Sequence, residues 1–509
     1  MIQDIFIILF FTCFAFLIRY LIIMKSFTNN TKVKLADEAY HYCVIRQLKK
    51  SFKYIGCSHI LTYSEPDRLP ILFHKLCAKL FHMKLLRQRS YIPNLFIFTI
   101  IFALYASYIF YLSYFFISIN PIFVLTIYLT FSLNFYFGKD RILYLNLSDR
   151  LSGSLFCSLY VLSMVFYVQY GDIISFLIAI FTCTTSLMIS YFTRQSVVLF
   201  TVLFSCILLS IKLILPFCIS IFLCFLIEGK YFYQSLRHQY FFSKFYKKYY
   251  LTSPYVSAAI HRFFDIKKIL KNWGLKTFVS EVFSNEPVRS FKIVPEYFIY
   301  YAIFFMSTIA SITETYGPYF SVAYILPLLI YALISFPALA QFGESFRYFD
   351  YSLQYLLPLI LYNMFVNFNY ISFLFFVLFF IYRIFSLPKK LDESHEDGLF
   401  YILKNSKIKK NDVVFTVPWS LGSAVASFTN CKCFSIVGSL RSKSMMDKFS
   451  EEVPFLKKNW DPLFKEFNVK YVLVDKKVEA QRKSKMSWDY NYGSLSVLIE
   501  NNGYILYEV

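Results

Sequence analysis

Apolar residues occur along the chain in runs of about 17–25 residues, the length of an α-helix that crosses a bilayer. The first run, Ile2–Met24, has no A-x-A-like cleavage site behind it, so we interpret it as a retained span and not as a signal peptide. A long polar segment, residues 25–93, follows it. Further runs then come in quick succession: Asn94–Ser118, Asn120–Phe137, Gly153–Tyr170, Ile173–Phe192 and Ser196–Leu213.

The stretch of residues 196–227 is long for one spanning helix and short for two. Lys212 and Pro216 near its centre favour a turn, so we predict a separate second span at Ile214–Ile227. Another long polar segment covers residues 228–296. The remaining apolar runs are Tyr297–Thr315, Tyr319–Pro337, Ser352–Val366 and Asn369–Leu387, which brings the predicted total to eleven spans.

After Pro388 the pattern changes to mixed polar sequence with short runs of β-forming residues. The predicted strands are Val413–Val417, Cys433–Val437, Tyr471–Val474 and Tyr504–Val509. Helices are predicted at Trp460–Phe467 and at Ser494–Asn501, the latter closed by Asn502-Gly503 as a C-cap. The sequence therefore predicts an α-helical polytopic membrane domain, residues 1–387, and a small soluble α/β domain, residues 388–509.

The composition agrees with this pattern. Of the 509 residues, 57% are hydrophobic and 16% are charged, whereas soluble domains contain about 25% charged residues. These values exclude a disordered chain and an ordinary soluble protein. The net charge of +21 must lie outside the bilayer core, because a central Lys or Arg there costs about 2.5–3.5 kcal/mol.

The distribution of polar segments bears on topology. With an odd number of spans and a cytoplasmic N-terminus, residues 25–93, residues 228–296, the loops at Asp149 and Glu344 and the C-terminal domain all share the outer face. Residues 25–93 contain thirteen Lys and Arg against four Asp and Glu, which opposes the positive-inside rule. That rule is read mainly from short loops, so we keep the outer-face prediction.

Motifs for several common chemistries are missing from the sequence. It contains no H-E-x-x-H, Walker A or G-x-G-x-x-G motif, and its eleven cysteines show no metal-binding spacing. An ATP-driven transporter would lack its phosphate loop. We predict no metal and no other cofactor.

Candidate chemistry begins in the first polar segment. Helical spacing over residues 35–48 places Asp37, His41, Val44 and Leu48 on one face. The helix dipole favours an ionised acid in the first turn, and Asp37 could equally be a capping acid on a surface helix.

A second amphipathic helix follows Pro70. Its leucines, Leu72, Leu76 and Leu80, alternate with the polar residues His74 and Lys75. Two amphipathic helices in a loop tethered at both ends by spans are suited to the membrane interface.

These motifs resemble the GT-C glycosyltransferases, in particular the branch of the protein O-mannosyltransferases and the lipid A aminoarabinose transferase. The resemblance rests on Asp37-Glu38-x-x-His41, on the helix Pro70-Ile71-Leu72-Phe73-His74, and on Asp149 just before a span. It covers the first 230 residues by motif and the remainder by layout only. The Pro-Pro that usually precedes the His helix in the family is Leu69-Pro70 here.

The resemblance implies an inverting transfer of a sugar from a polyprenyl-phosphate carrier to an acceptor on the periplasmic or lumenal face. Asp37 is the candidate base, Glu38 is the alternative, and Asp149 is the second acid. The candidate substrate-binding residues are His41, His74, Lys75, Arg150, Glu344 and Arg347. Simpler interpretations remain open: Asp149-Arg150 and Glu344–Arg347 as local ion pairs, and His74 as an ordinary interfacial residue.

The start of the second long polar segment, residues 230–250, interleaves Arg237, His238, Lys244, Lys247 and Lys248 with aromatic residues. Such a pattern can stack on single-stranded nucleic acid. Beside a span it more often anchors at lipid headgroups. We therefore predict membrane lipids as partners and no nucleic acid.

Two rival functions stay open. A transporter or flippase for a lipid-linked saccharide would show inverted repeats and ionisable residues at mid-span. A non-catalytic membrane scaffold would leave Asp37, Asp149 and Glu344 without a common purpose. The favoured prediction is a glycosyltransferase in a bacterial cytoplasmic membrane, with the endoplasmic reticulum as the alternative, acting on a lipid, glycan or protein acceptor.

Overall fold

A computed structural model of the protein describes residues 2–26, 36–51, 70–135, 147–245, 313–334, 339, 342, 347–366, 393–418, 420–433, 461–483 and 492–509. The helices that precede the second long polar segment are α1 Ile2–Ser26, α2 Ala36–Ser51, α3 Leu72–Leu80, α4 Met83–Gln88, α5 Ile92–Phe115, α6 Pro121–Phe135, α7 Asp149–Tyr170, α8 Ile173–Ile189, α9 Tyr191–Leu208 and α10 Ile214–Glu228. They are followed by α11 Lys230–Phe245, α12 Pro318–Ile334, α13 Arg347–Ser352 and α14 Leu357–Val366.

The described residues contain five helices that are long and apolar enough to cross a membrane. They are Ile2–Leu21, Ile92–Phe115, Asp149–Tyr170, Tyr191–Leu208 and Ile211–Glu228. Shorter apolar helices lie at Ile173–Ile189 and Pro318–Tyr331. The chain is an integral membrane protein, and the total of eleven spans stays a prediction, because the predicted spans at residues 297–315 and 369–387 fall largely outside the described residues.

Helix α7 forms the centre of the bundle. Its most apolar window is 89% buried, whereas those of α1 and α10 are 17% and 22% buried. Small residues on α7, Ser152, Gly153, Ser154 and Ser158, let neighbouring helices approach closely. The outer helices direct their apolar side chains away from the protein, as helices in contact with lipid do.

The predicted break of residues 196–227 into two helices is confirmed, and both helices are long and apolar enough to cross a membrane. Helix α9 ends at Leu208, a 3₁₀ turn covers Ile211–Leu213, and α10 begins at Ile214. Lys212 lies within the turn and Pro216 in the first turn of α10, where proline needs no amide hydrogen.

The two ends of the bundle carry different polar contacts. At one end, Asp149 begins α7 and Glu228 ends α10, and both contact side chains of the first polar segment. At the other end, Tyr111 near the end of α5 donates a 2.7 Å hydrogen bond to Asp172, which caps α8. The residues considered below gather at the first of these ends.

The C-terminal α/β unit, residues 393–509, contains a five-stranded sheet in the order β2-β1-β3-β5-β4. Its elements are α15 Glu393–Asn405, β1 Val413–Val417, α16 Ser420–Thr429, β2 Lys432–Cys433, α17 Asp461–Glu466, β3 Val469–Asp475, α18 Lys476–Lys483, β4 Ser496–Asn501 and β5 Tyr504–Glu508. Strands β2, β1 and β3 are parallel, and β5 pairs antiparallel with both β3 and β4. Whether residue 388 marks the boundary between two domains stays a prediction.

One predicted element of this unit is wrong. Residues 496–501 form strand β4 and not the end of a helix, and Asn502-Gly503 connects it to β5. Both turn residues have positive φ angles, 49° and 85°. Two such residues form the turn that matches the twist of a two-stranded hairpin, and Asn-Gly is its preferred sequence. The same dipeptide can also end a helix, and for this reason the sequence pattern predicted a helix before it.

Helices α2 and α3 also differ from the predicted amphipathic pair. Every residue of α2 from Ala39 to Ile45 is buried, so α2 has no solvated face along that length. On α3, His74 is buried while Leu76 and Leu80 are exposed. These two leucines of α3 therefore point outward, as expected at a lipid boundary, and its histidine points into the protein.

Candidate functional site

The site is built around the first turn of α7. Ser148 is the N-cap of this helix, and its hydroxyl accepts a 3.1 Å hydrogen bond from the backbone amide of Arg150. This cap starts the helix directly at Asp149. The carboxylate of Asp149 therefore lies at the positive end of the helix dipole, which stabilises its negative charge.

Helix α2 brings His41 to this carboxylate. Nε2 of His41 lies 3.8 Å from Oδ1 of Asp149, and the two side chains are only 9% and 17% exposed. On the other side of the ring, Nδ1 of His41 lies 2.8 Å from Nε2 of His74 on α3. His41 thus connects an acid and a second imidazole that come from separate segments of the chain.

Burial keeps His74, the inner histidine of this pair, neutral. His74 is 1% exposed, and burial, together with the neighbouring His41, holds the pKa of His74 well below its usual value. A neutral His74 can accept a hydrogen bond at Nε2 from the Nδ1–H of His41. A second proton, on Nε2 of His41, would then make His41 a cation that faces the Asp149 carboxylate.

The surroundings of the pair are aromatic. The ring of Phe73 meets that of His41 edge-on at 6.3 Å, and the ring of Tyr40 does so at 5.6 Å. These rings exclude water from one side of the imidazoles, which strengthens the electrostatic interactions between them and Asp149. Among the described residues, Nδ1 of His74 is a buried nitrogen without a hydrogen-bond partner.

Lys75 faces a different carboxylate. Its Nζ lies 3.2 Å from Oε1 of Glu228, the last residue of α10, and 5.7 Å from the ring centre of Tyr231. The side chain of Glu228 is 2% exposed and that of Lys75 is 39% exposed. Consecutive residues of α3 therefore contact α2 and α10, and the Lys75 ammonium remains open to solvent on one side.

A buried arginine completes this end of the bundle. Arg194 on α9 donates to the carbonyl of Leu187 at 2.9 Å, to Ser235 Oγ at 3.2 Å and to Gln239 Oε1 at 3.1 Å. Its guanidinium also lies 5.0 Å from the ring centre of Phe232. Arg194 thereby fixes α11 across the ends of α8 and α9.

Arg194 and Glu228 are not among the site residues predicted from the sequence. The available signal was position alone: Arg194 separates two predicted spans, and Glu228 is the first charge after another. Ionisable residues at such boundaries usually pair or contact a ligand.

The structure describes the other predicted site residues in part. Asp37 lies in the first turn of α2, one turn before His41, and its side chain is outside the described part of the structure. Glu38 is partly buried on the same helix, and Arg150 is partly buried beside Asp149. Glu344 lies outside the described residues. Arg347 begins α13, and its side chain is not among those described.

Helix α13, which begins at Arg347, is held against the central helix α7 by two hydrogen bonds at its far end. Ser158 of α7 donates a 3.2 Å hydrogen bond to the carbonyl of Ser352, the last residue of α13. Gln354, just beyond it, donates to Ser154 at 3.0 Å. The backbone that follows α13 is therefore seated on the half of α7 nearest Asp149.

As far as the structure describes it, the site contains no cluster of the residues that usually hold metal ions. In the part of the chain that the structure describes, no group of three or more His, Cys, Asp or Glu residues has the geometry to hold a metal ion. That a metal is not required stays a prediction.

Comparison with known proteins gave matches among solved structures only. The chain is similar to the oligosaccharyltransferase of Archaeoglobus fulgidus, solved in complex with Zn and sulfate, with 12% identity and a TM-score of 0.49 over 94% of this chain and 69% of that one. It is also similar to ArnT from Cupriavidus metallidurans bound to undecaprenyl phosphate, with 9% identity and a TM-score of 0.45 over 98% and 97% of the two chains. The apo state of ArnT gives 10% identity and 0.44 over the same shares.

No family model matches the chain, and no curated protein matches it.

Proposed function

We propose that this protein is a membrane glycosyltransferase of GT-C type that moves a sugar from a polyprenyl-phosphate carrier to the hydroxyl of an acceptor. The observation that carries the proposal is the convergence of His41, His74 and Asp149 at one end of the spanning helices. Three segments that the sequence singled out for this chemistry supply these residues. A donor with a long lipid tail needs a polar site at the end of an apolar bundle.

The proposed reaction forms one bond and breaks another. The acceptor oxygen bonds to the anomeric carbon from the face opposite the carrier, and the bond from that carbon to the phosphate oxygen breaks with its electron pair. The acceptor proton passes to a carboxylate. Asp37 is the candidate base with Glu38 as the alternative, and Asp149 is the second acid, poised by the helix dipole and by His41.

Cationic and hydrogen-bonding groups balance the charge that develops on the leaving phosphate. Lys75 supports this role because its ammonium is partly exposed. His74 supports it through its buried Nδ1, which a phosphate oxygen could satisfy. Arg150, and Arg347 from α13, are further candidates. Proteins commonly hold phosphates through charge-assisted hydrogen bonds of this kind.

The test is a transfer assay on the full-length protein in liposomes, with undecaprenyl-phosphate sugars as donors and a membrane lipid extract as the source of acceptors. We expect released undecaprenyl phosphate and a new glycosylated product. Asp149→Asn and Asp37→Asn are each expected to lower the release by about 100-fold or more, the size of a typical loss of acid–base catalysis.

Two outcomes would count against this function. Release that continues at the wild-type rate in both variants would remove Asp37 and Asp149 from the reaction. Movement of an intact donor across the liposome membrane without cleavage would favour the flippase. We propose the outer face of a bacterial cytoplasmic membrane as the place of action, which labelling of single cysteines within residues 228–296 would check.

A further inference from the structure

The C-terminal α/β unit covers the helix that carries His41. Helix α2 packs against α3 on one side and against α16 of this unit on the other. One continuous hydrophobic core includes Ala39, Cys43 and Val44 of α2 together with Leu421 and Val425 of α16. This contact explains why α2 has no solvated face from Ala39 to Ile45, although its sequence predicts a half-solvated helix.

Arg46 makes the polar part of this contact. Its guanidinium donates to the carbonyl of Ala426 at 3.2 Å, to the carbonyl of Ser427 at 3.3 Å and to the side-chain amide oxygen of Asn430. These acceptors lie at the C-terminal end of α16, which carries the negative end of the helix dipole. A cation there stabilises the end of the helix and adds a donor to the carbonyls of its last turn, of which that of Ala426 also accepts from the backbone amide of Asn430 at 3.2 Å.

The partners of Arg46 are 380, 381 and 384 residues away in sequence. Asn430 adopts a φ of 61°, the left-handed conformation that ends a helix and turns the chain towards β2. The Arg46 guanidinium also lies 5.9 Å from the ring centre of Tyr42, which limits the rotamers open to it. The contact is therefore specific and not a loose surface pairing.

We infer that the C-terminal α/β unit positions α2 through Arg46, and that this contact holds His41 within reach of Asp149. Arg46 follows His41 by five residues on α2, about 7.5 Å along the helix axis. A shift of α2 of even about 1 Å at Arg46 changes the geometry of His41 and Asp149, where displacements of that size can cost about 100-fold in rate. The catalytic consequence of this inference rests on the proposed function. The contact between Arg46 and α16 does not depend on it.

Arg46→Gln removes the charge and most of the donors, and Arg46→Lys keeps the charge with a different geometry. The matched control is Arg87→Gln. Arg87 on α4 also contacts α16, with its guanidinium 5.8 Å from the ring centre of Phe428, but it is not on α2. All three variants are made in the full-length protein.

The first measurement is amide hydrogen exchange of the full-length protein in detergent. Arg46→Gln is expected to accelerate exchange by about tenfold or more in peptides covering residues 38–48, with Arg46→Lys between it and wild type. Arg87→Gln is expected to leave these peptides at the wild-type rate. Equal exchange of residues 38–48 in Arg46→Gln and Arg87→Gln would overturn the inference.

The second measurement is transfer from the undecaprenyl-phosphate sugar that the wild type consumes. Arg46→Gln is expected to lower kcat by about 10–100-fold with little change in the donor KM, and Arg46→Lys is expected to restore part of kcat. Faster exchange with an unchanged kcat would overturn the positioning role. A wild type that consumes no donor would refute the proposed function instead, and hydrogen exchange would still decide whether Arg46 holds α2.

Discussion

Nδ1 of His41 and Nε2 of His74 lie 2.8 Å apart, although the two residues are 33 positions apart in sequence and on different helices. The rings are nearly parallel, at an interplanar angle of 25°. The pair joins α2 to α3 through polar atoms inside a mostly apolar and aromatic environment. A proton added to this buried pair must be taken up without water around it, so it affects the stability of the protein.

The stability of the protein should fall in mild acid because of His74. Burial, and after it the nearby His41, lowers the pKa of His74 in the folded state. Below about pH 6.5 the unfolded chain takes up a proton at this residue that the folded chain does not. Folding then loses up to about 1.4 kcal/mol per pH unit as the pH falls, until the folded pKa is reached.

His74→Gln should remove this loss. We expect the thermal midpoint of the detergent-solubilised protein to fall less steeply between pH 7.5 and 5.5 in His74→Gln than in wild type. His82→Gln, which replaces an exposed histidine on the same loop, should keep the wild-type slope. Identical slopes for His74→Gln and wild type would show that His74 is not held neutral.

Lys75 and Glu228 should be energetically coupled. Lys75→Met leaves the buried Glu228 carboxylate without the ammonium that contacts it, at a cost of about 1–3 kcal/mol. The double variant Lys75→Met/Glu228→Gln should recover part of that loss. The free energies of unfolding of the wild type, the two single variants and the double variant, obtained from their thermal midpoints, give the coupling energy.

Lys79→Met is the matched control for this pair, because Lys79 is exposed one turn further along α3. It should leave the free energy of unfolding within about 0.5 kcal/mol of the wild-type value. If Lys75→Met behaves like Lys79→Met, the ion pair does not stabilise the fold.

The local features of the site could be predicted from the sequence. Helical spacing placed Asp37 and His41 on one helix, and the resemblance to the GT-C family singled out Asp149 just before an apolar run. Lys212 and Pro216 located the turn between α9 and α10 because each residue disfavours the centre of a spanning helix. Such signals depend on neighbours within a few residues along the chain.

The long-range contacts could not be predicted in this way. Arg46 contacts α16 some 380 residues later in the chain, and a local sequence pattern cannot predict such a contact. The covering of α2 by the C-terminal α/β unit likewise depends on tertiary packing. The hairpin at Asn502-Gly503 was missed because one dipeptide serves two structures, and only the pairing of β4 with β5 selects between them.

The close approach of α7 and α9 should not tolerate a side chain at position 153. A Cβ added at Gly153 would overlap Oγ1 of Thr193 and lie 3.2 Å from its Cβ. Gly153→Ala should therefore destabilise the protein by about 1–3 kcal/mol, the usual cost of overpacking. Gly153→Ala/Thr193→Ala should recover much of this loss, because it removes the overlapping oxygen. If the midpoint shifts of the two single variants sum to the shift of the double variant, the proposed clash is contradicted.

Helix α11 should bind anionic lipid through one face. Arg194 holds the opposite face through Ser235 and Gln239, whereas Tyr233, Arg237, Tyr240 and Lys244 are exposed at helical spacing. Helix α11 contains no Asp or Glu, and it begins two residues after the span α10 ends. Basic and aromatic residues next to a span attract anionic headgroups, at about 1 kcal/mol per cation.

Tyr233→Trp provides a reporter on this face. In vesicles containing phosphatidylglycerol or phosphatidylcholine brominated near the headgroup, the indole fluorescence that this substitution adds should be quenched more strongly by the anionic lipid. Adding Arg237→Gln and Lys244→Gln should make the two lipids quench equally, because the attraction to the headgroup charge is lost. Lys409→Gln/Lys410→Gln removes the same charge from an exposed loop of the C-terminal α/β unit and should leave the preference intact. Equal quenching by both lipids in Tyr233→Trp itself would show that this face of α11 has no preference for anionic headgroups.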